Sequence, residues 1–164
     1  RPKYQFDELL KIEKPLSVIL EDLQDPGNLG TIVRTGEGAG VSAVIMTKNT
    51  VDIYNPKVIR STMGSVFRVP FFYTDDLFAT VKELQARGIR LFAAHLSGKN
   101  NYEAEDYTGD IGFLIGNEGN GLTDELSNMA DTWVKIPMAG SVESLNAAIA
   151  ASILMFETAR QRRA

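Results

Sequence analysis

Residues 17–46 read SVILEDLQDPGNLGTIVRTGEGAGVSAVIM and contain the unit that decides the fold. The stretch 17–23, with its apolar residues Val18, Ile19 and Leu20, has the length and composition of a β-strand, and the Asp-Pro-Gly at 25–27 is a turn signal. Residues 28–39 then predict a helix that the next glycine ends, and residues 41–46 predict a second strand. A strand, a helix and a strand in this order are typical of a parallel β-α-β unit.

The same alternation continues along the chain. Further strands are predicted at residues 69–73, 89–94, 111–115 and 133–136, with an amphipathic helix at 77–87. A long final helix is predicted at 144–160. Its core-facing side is predicted to consist of Leu145, Ala148, Ile149, Ser152, Ile153 and Phe156. The sequence therefore predicts an α/β domain with a mostly parallel sheet and helices on both faces.

Composition excludes several classes of protein. The 164 residues are enough for one domain and too few for two ordinary ones. The absence of cysteine excludes disulfide scaffolds, thiol nucleophiles and thiolate-ligated metals, and a single histidine disfavours a histidine-rich metal site. No apolar run approaches the roughly 18 residues of a membrane span, and the first residues lack the apolar core of a secretory signal. We expect a cytoplasmic protein without a metal or a membrane partner.

Charge is distributed unevenly along the chain. The net charge of −4 disfavours a polyanion binder that relies on overall positive charge. Residues 1–70 nevertheless hold 9 lysines and arginines against 8 acidic residues, whereas residues 71–164 hold 8 against 13. A phosphate-facing surface is therefore expected in the first half.

Three glycine-rich turns follow predicted strands. The first spans residues 25–40 and carries Asn28 and Arg34. The second, FLIGNEGNGL at 113–122, carries Glu118, but its G-x-x-G-x-G spacing matches neither the dinucleotide fingerprint nor a P-loop. The third, IPMAGSVESLNAA at 136–148, carries polar residues at a helix start. The carboxyl ends of parallel strands are where ligands bind in α/β sheets.

Each turn also has a purely structural interpretation. The glycines can serve tight turns and close helix packing, with Arg34 on a solvated face. Glu118 can tie its loop to backbone N–H groups. Ser144, as an N-cap or first-turn residue, and Asn146 can simply satisfy the start of the last helix.

In combination, these segments resemble the three motifs of the SpoU/TrmH family of RNA ribose 2'-O-methyltransferases, within the SPOUT class. The matching stretches are NLGTIVR at 28–34, IGNEGNGL at 115–122 and IPMAGSVESLNAAIA at 136–150, and NPKVIRSTMGSVFRVP at 55–70 resembles the connecting segment. The resemblance covers residues 17–160. It implies that 1–164 is a single catalytic domain, with residues 1–16 as an N-terminal extension or linker remnant.

The resemblance also implies a deep C-terminal trefoil knot, S-adenosylmethionine bound in that knot, and a homodimer whose active site is shared between subunits. It places Arg34 nearest the ribose hydroxyl, with Asn28, Glu118, Ser144 and Asn146 around it. It places the cofactor against Leu96, Gly116, Ile136, Met138 and Leu145. Because arginine has no acceptor atom and a pKa above 12, we expect Arg34 to orient the hydroxyl and stabilise its developing charge rather than act as a base.

Other residues are candidates for RNA contact. Lys57, Arg60 and Arg68 accompany Arg34 in the less acidic half and are predicted to meet phosphates. Arg162 and Arg163 are expected to be solvated surface charges. His95 is expected to be a hydrogen-bonded structural residue, and Tyr107 a surface-loop tyrosine.

The substrate expected from the resemblance is ribosomal or transfer RNA. A catalytically silent RNA-binding module with the same fold is the alternative function, and a conventional nucleotide-binding enzyme is disfavoured by the missing fingerprints. Family members often carry an amino-terminal RNA-recognition domain, so either such a domain was removed or this domain selects RNA alone or with a partner. Which nucleotide is methylated is not evident from the sequence.

Overall fold

A computed structural model describes residues 6–9, 11–141 and 145–164. Its strands are β1 (Leu16–Leu20), β2 (Ala43–Thr47), β3 (Phe71–Thr74), β4 (Arg90–Ala94), β5 (Asn100–Asn101), β6 (Ile111–Ile115) and β7 (Thr132–Lys135). Its helices are α1 (Phe6–Leu9), α2 (Pro26–Ala39), α3 (Pro56–Thr62), α4 (Leu77–Ala86), α5 (Asp124–Met129) and α6 (Ala147–Arg163). The structure confirms the predicted strands to within a few residues at each end.

All strands described pair in parallel, in the order β3-β2-β1-β6-β4-β7-β5. Alternate residues of the central strand β1 point to opposite faces, because side chains alternate along a strand. Val18 packs into the cluster that contains residues of α2, α3 and α6, whereas Ile19 packs into the cluster beneath α4 and α5. The predicted parallel sheet with helices on both faces is confirmed.

The helix α2 begins and ends as its sequence predicts. Asp25 caps its first turn by accepting hydrogen bonds from the backbone N–H groups of Gly27 (2.7 Å) and Asn28 (3.2 Å). Gly40 ends the helix in the left-handed conformation, with φ of 85°. Since α2 follows β1 directly, its N-terminus lies at the carboxyl edge of the sheet.

The last helix differs from its prediction in start and orientation. Its N-cap is Asn146, which accepts hydrogen bonds from the N–H groups of Ala148 (2.8 Å) and Ile149 (3.2 Å), so the helix begins later than residue 144. Ile149 and Phe156, predicted to face the core, are 51% and 46% exposed. The buried stripe consists instead of Ala148, Ala151, Leu154, Met155 and Thr158. The helix therefore has two apolar sides, and periodicity alone did not indicate which of them is buried.

The polar connection before β6 also differs from expectation. Tyr107, predicted to lie at the surface, is fully buried with its ring edge-on to Phe92, at 5.0 Å between ring centroids. Its hydroxyl donates to the carbonyl of Tyr102, and burial raises the pKa of Tyr107. Arg162, predicted to be solvated, donates to the carbonyls of Lys14, Tyr107 and Gly109 and fastens the end of α6 to the segments that precede β1 and β6.

Within the described ranges, the helices are all too short or too polar to cross a lipid bilayer.

Candidate active site

A cavity of about 820 Å³ opens where β4, β6 and β7 end. Its walls come from three stretches that follow these strands, and from the start of α6. The residues predicted to contact a cofactor all line it, namely Leu96, Gly116, Ile136, Met138 and Leu145. The structure therefore brings together five positions that lie up to 49 residues apart in sequence.

The loop after β6 is folded back tightly on itself. Asn117 and Gly121 exchange backbone hydrogen bonds of 2.8 and 3.2 Å, which closes the loop at its base. A Cβ atom on Gly116 would lie 2.1 Å from the carbonyl carbon of Gly121 and 2.1 Å from the nitrogen of Leu122. No side chain fits at that distance from rigid backbone, so Gly116 is required for the loop to close.

Glu118 reaches from this loop to the turn that precedes α2. Its Oε1 accepts hydrogen bonds from the backbone N–H groups of Gln24 (2.9 Å) and Asp25 (2.8 Å). The carboxylate also lies on the cavity wall. In this structure the carboxylate of Glu118 therefore binds backbone N–H groups, as the structural interpretation predicts. These bonds connect the first glycine-rich turn to the second.

The third turn meets the first through an amide pair. Asn146 donates from Nδ2 to Oδ1 of Asn28 over 3.1 Å, while its own Oδ1 caps α6. The flanking residues Leu145 and Ala147 line the cavity. Asn28 and Asn146 are thus fixed together beside the cavity, whereas Ser144 lies outside the described residues.

Arg34 is not on the cavity wall. It projects from the exposed side of α2, and its Nη1 lies 2.9 Å from Sδ of Met63 at the end of α3. Gly30, from the same turn, serves close helix packing, because a Cβ there would lie 1.7 Å from Oγ of Ser61. The second and third turns therefore converge on one pocket, whereas neither Asn28 nor Arg34 of the first turn lies on its wall; Asn28 is connected to the third turn through its hydrogen bond with Asn146.

The three candidate RNA-contacting cations differ in their partners. Lys57 and Arg60 are exposed on α3 and have no ion-pair partner among residues 6–9, 11–141 and 145–164. Arg68 instead binds the carboxylate of Glu37, with Nη2 to Oε1 at 2.8 Å. This bond lowers the pKa of Glu37, which also accepts a hydrogen bond from Ser65.

Sequence reasoning missed several residues of the cavity wall. His95 lines it with its ring stacked on Trp133, at 3.9 Å between ring centroids, and its Nδ1 accepts a hydrogen bond from the N–H of Ser97. Ser127, from the unpredicted helix α5, and Lys135 also line it. His95 follows β4 directly and Lys135 is the last residue of β7, so position at a strand end was the available signal for these two, whereas Ser127 lies within α5 and had no such signal.

Comparison with known proteins identifies the family. The model of the SpoU rRNA Methylase family matches residues 15–156. The 23S rRNA (guanosine-2'-O-)-methyltransferase of Ralstonia nicotianae is 38% identical over 159 residues, which cover 96% of this chain and 64% of that protein.

Two crystal structures are similar throughout the chain. The SpoU methyltransferase AviRb from Streptomyces viridochromogenes in complex with the cofactor AdoMet matches with a TM-score of 0.91 and 33% identity, covering 99% of this chain and 63% of that one. The AdoMet-bound rRNA methyltransferase from Sinorhizobium meliloti matches with a TM-score of 0.82 and 40% identity, covering 93% and 59%. This chain thus spans less than two thirds of the length of each of these relatives. Because the family model covers most of it, the chain belongs to the SpoU rRNA methylase family.

Proposed function

We propose that this chain transfers the methyl group of S-adenosylmethionine to a ribose 2'-hydroxyl of ribosomal or transfer RNA. The observation that carries the proposal is the cavity, whose wall contains all five residues that the family resemblance assigns to the cofactor. The AdoMet complexes of the two crystallised relatives support the same ligand here.

The cavity has the size and chemistry that this ligand needs. Its volume of about 820 Å³ falls within the range of small-molecule sites. Leu96, Ile136 and Met138 provide apolar contact for an adenine ring, and the backbone of the glycine-rich loop after β6 provides hydrogen-bonding groups next to it. When bound, S-adenosylmethionine supplies a methyl group on a positively charged sulfur.

Arg34 is proposed to act on the acceptor. The ribose oxygen must be aligned with the methyl group, and it loses its proton as the new carbon–oxygen bond forms and the bond between the methyl carbon and sulfur breaks. A guanidinium offers five N–H donors in a fixed plane, which suits it to hold the hydroxyl and a neighbouring phosphate and to stabilise negative charge on the oxygen. It has no acceptor atom, so the proton passes to the substrate phosphate or to a side chain of the partner subunit.

The position of Arg34 outside the cavity of its own chain supports a shared site. We infer a homodimer in which Arg34 of the partner subunit completes the cavity. The face that carries Arg34 also exposes apolar side chains: Met63 is 70% exposed, and Ile149 and Phe156 form an exposed stripe on α6. Phe156 lies beside α2, since a Cβ on Gly38 would contact its ring at 3.5 Å. Apolar surface of this kind is typical of an interface between subunits. The trefoil knot and the cytoplasmic location remain predictions.

The proposal is tested by mapping ribose methylation. Total RNA is incubated with the protein and S-adenosylmethionine, and 2'-O-methyl positions are compared with those of RNA incubated without protein. New methylation at defined nucleotides, dependent on the cofactor, is expected. RNA binding without any new 2'-O-methyl group would favour the silent RNA-binding module instead.

A further inference from the structure

Glu21 is a buried carboxylate for which neither the motifs nor the proposed mechanism provides a role. It follows β1 directly and is only 7% exposed. Its Oε1 accepts a hydrogen bond from the N–H of Thr123 (2.8 Å), and its Oε2 accepts one from the Thr123 hydroxyl (2.9 Å). Burying a carboxylate is costly unless such bonds compensate, so a glutamate that serves packing alone would be a poor choice here.

Thr123 is the point where the glycine-rich loop ends and α5 begins. Its Oγ1 caps α5 by accepting from the N–H of Leu126 at 3.2 Å, and its carbonyl accepts from the N–H of Ser127 at 2.9 Å. Leu122 on one side of Thr123 and Ser127 on the other both line the cavity. The two hydrogen bonds that Glu21 accepts from Thr123 therefore fix the segment that carries the wall residues Leu122 and Ser127.

The same segment supports a further wall residue, His95. The carbonyl of Ser127 accepts a hydrogen bond from Nε1 of Trp133 at 2.7 Å, and Trp133 stacks on His95. A displacement of Thr123 is therefore expected to shift Ser127 and, through Trp133, the ring of His95. Packed and hydrogen-bonded neighbours of this kind set the geometry of a site that they do not touch.

Glu21 is one of three links between the segment after β1 and the segment after β6. Asn117 donates from Nδ2 to the carbonyl of Asp22 at 2.7 Å, and Glu118 accepts from Gln24 and Asp25. Asn117 and Glu118 belong to the glycine-rich loop itself, whereas Glu21 reaches the end of the loop from the position directly after β1. It anchors the end of the loop to the centre of the sheet.

We propose that Glu21 is a positioning residue for the cofactor, which holds the far end of the glycine-rich loop in its binding conformation through Thr123. This inference rests on the proposed function, since it takes S-adenosylmethionine as the ligand. It predicts that loss of Glu21 weakens cofactor binding more than it slows transfer once the cofactor is bound.

The experiment is calorimetric titration of S-adenosylmethionine into the wild-type chain and its variants, well below their unfolding temperatures. Glu21→Ala is expected to raise the Kd by about tenfold or more, because it removes two hydrogen bonds to a charged group, while kcat at saturating cofactor stays within about threefold. Glu21→Gln is expected to restore most of the affinity, since its amide can accept from the Thr123 N–H and donate to the hydroxyl.

Glu37→Ala is the matched control. It also removes a carboxylate that accepts hydrogen bonds, but its partners are the side chains of Arg68 and Ser65, away from the cavity. We expect its Tm to fall and its Kd to stay unchanged. If Glu21→Ala does not fold, Thr123→Val decides, with a severalfold higher Kd expected because it removes the hydroxyl that binds Glu21 and caps α5 and so loosens the same segment.

Equal Kd values for the wild type and the Glu21 variant, or the Thr123 variant in its place, would overturn the assignment, even with a lowered Tm. A wild-type chain that does not bind S-adenosylmethionine would instead overturn the proposed function and this inference with it. The two failures are thus distinguishable.

Discussion

The cavity after β4, β6 and β7 and the exposed surface of α2 and α3 differ in how much of a site each contains. The cavity is lined by residues of one chain, and its loops are tied to the start of α2 by hydrogen bonds that Glu118 accepts and Asn146 donates. The α2–α3 surface carries Arg34, Lys57 and Arg60 on open helices, with no carboxylate bound to any of them among the described residues. One chain therefore lines a pocket of small-molecule size, whereas its α2–α3 surface leaves these cations exposed.

The largest expected effect is on the rate of methyl transfer, and it comes from a variant of the α2–α3 surface that leaves the cavity intact. Arg34→Ala is expected to lower kcat for methyl transfer by about 100-fold or more, because it removes the donor for the developing negative charge. The Kd for S-adenosylmethionine should stay within about twofold, since Arg34 does not line the cavity. Single-turnover kinetics measure the rate of methyl transfer, and calorimetry measures the Kd for S-adenosylmethionine.

Arg87→Ala is a suitable control for this variant. Arg87 is an arginine next to α4, bound to Asp7 and Glu83, on the opposite face of the sheet from α2. Its loss should leave both quantities unchanged. Wild-type turnover in Arg34→Ala would contradict the role assigned to Arg34.

The second-largest expected effect comes from a variant that disrupts the cavity and leaves the α2–α3 surface unchanged. Gly116→Val is expected to raise the Kd for S-adenosylmethionine by at least about 30-fold, because its Cβ cannot coexist with the backbone of residues 121 and 122. Gly109→Ala is the control, since a Cβ there contacts nothing within 4 Å. Titrations with ATP and NAD should show no tight binding to the wild type. Unchanged affinity in Gly116→Val would mean that the ligand binds elsewhere.

The smallest expected effects are on RNA affinity, and they rank the contributions of three cationic side chains. Lys57→Ala and Arg60→Ala are each expected to weaken RNA binding severalfold and to reduce the salt slope of the affinity by about 1, as the loss of one phosphate contact does. Arg68→Ala should have a smaller effect on RNA binding, because its guanidinium is already bound to Glu37. Filter binding at several salt concentrations checks this order. An Arg68 variant with the greatest loss of affinity would reverse the ranking.

The sheet was predictable because its central strands are buried on both faces. The strands at residues 16–20 and 111–115 are fully buried and carry almost no polar side chain, and the long helices between the strands show clear periodicity and caps. The helices α3 and α5 were missed because they are only 7 and 6 residues long. Elements of that size depend on caps and tertiary contacts more than on a periodic pattern.

The candidate site was only partly predictable. The five cofactor positions and the Asn28–Asn146 pair came from motif resemblance, and the structure places them at or beside one cavity. The surroundings of Arg68 and Tyr107 depend on contacts with residues 31 and 15 positions away in sequence, which no local pattern encodes. The same holds for Glu21, whose partner Thr123 is 102 residues away.

The measurement that tests the shared site most directly is subunit complementation. Arg34→Ala and Gly116→Val chains, each inactive alone, are mixed, allowed to exchange subunits and assayed for methyl transfer. A mixed dimer has one site in which an intact cavity meets Arg34 of the partner subunit, so random mixing should restore about a quarter of the wild-type activity. Activity no higher than that of either variant alone would contradict the account, because each cavity would then depend on the arginine of its own chain.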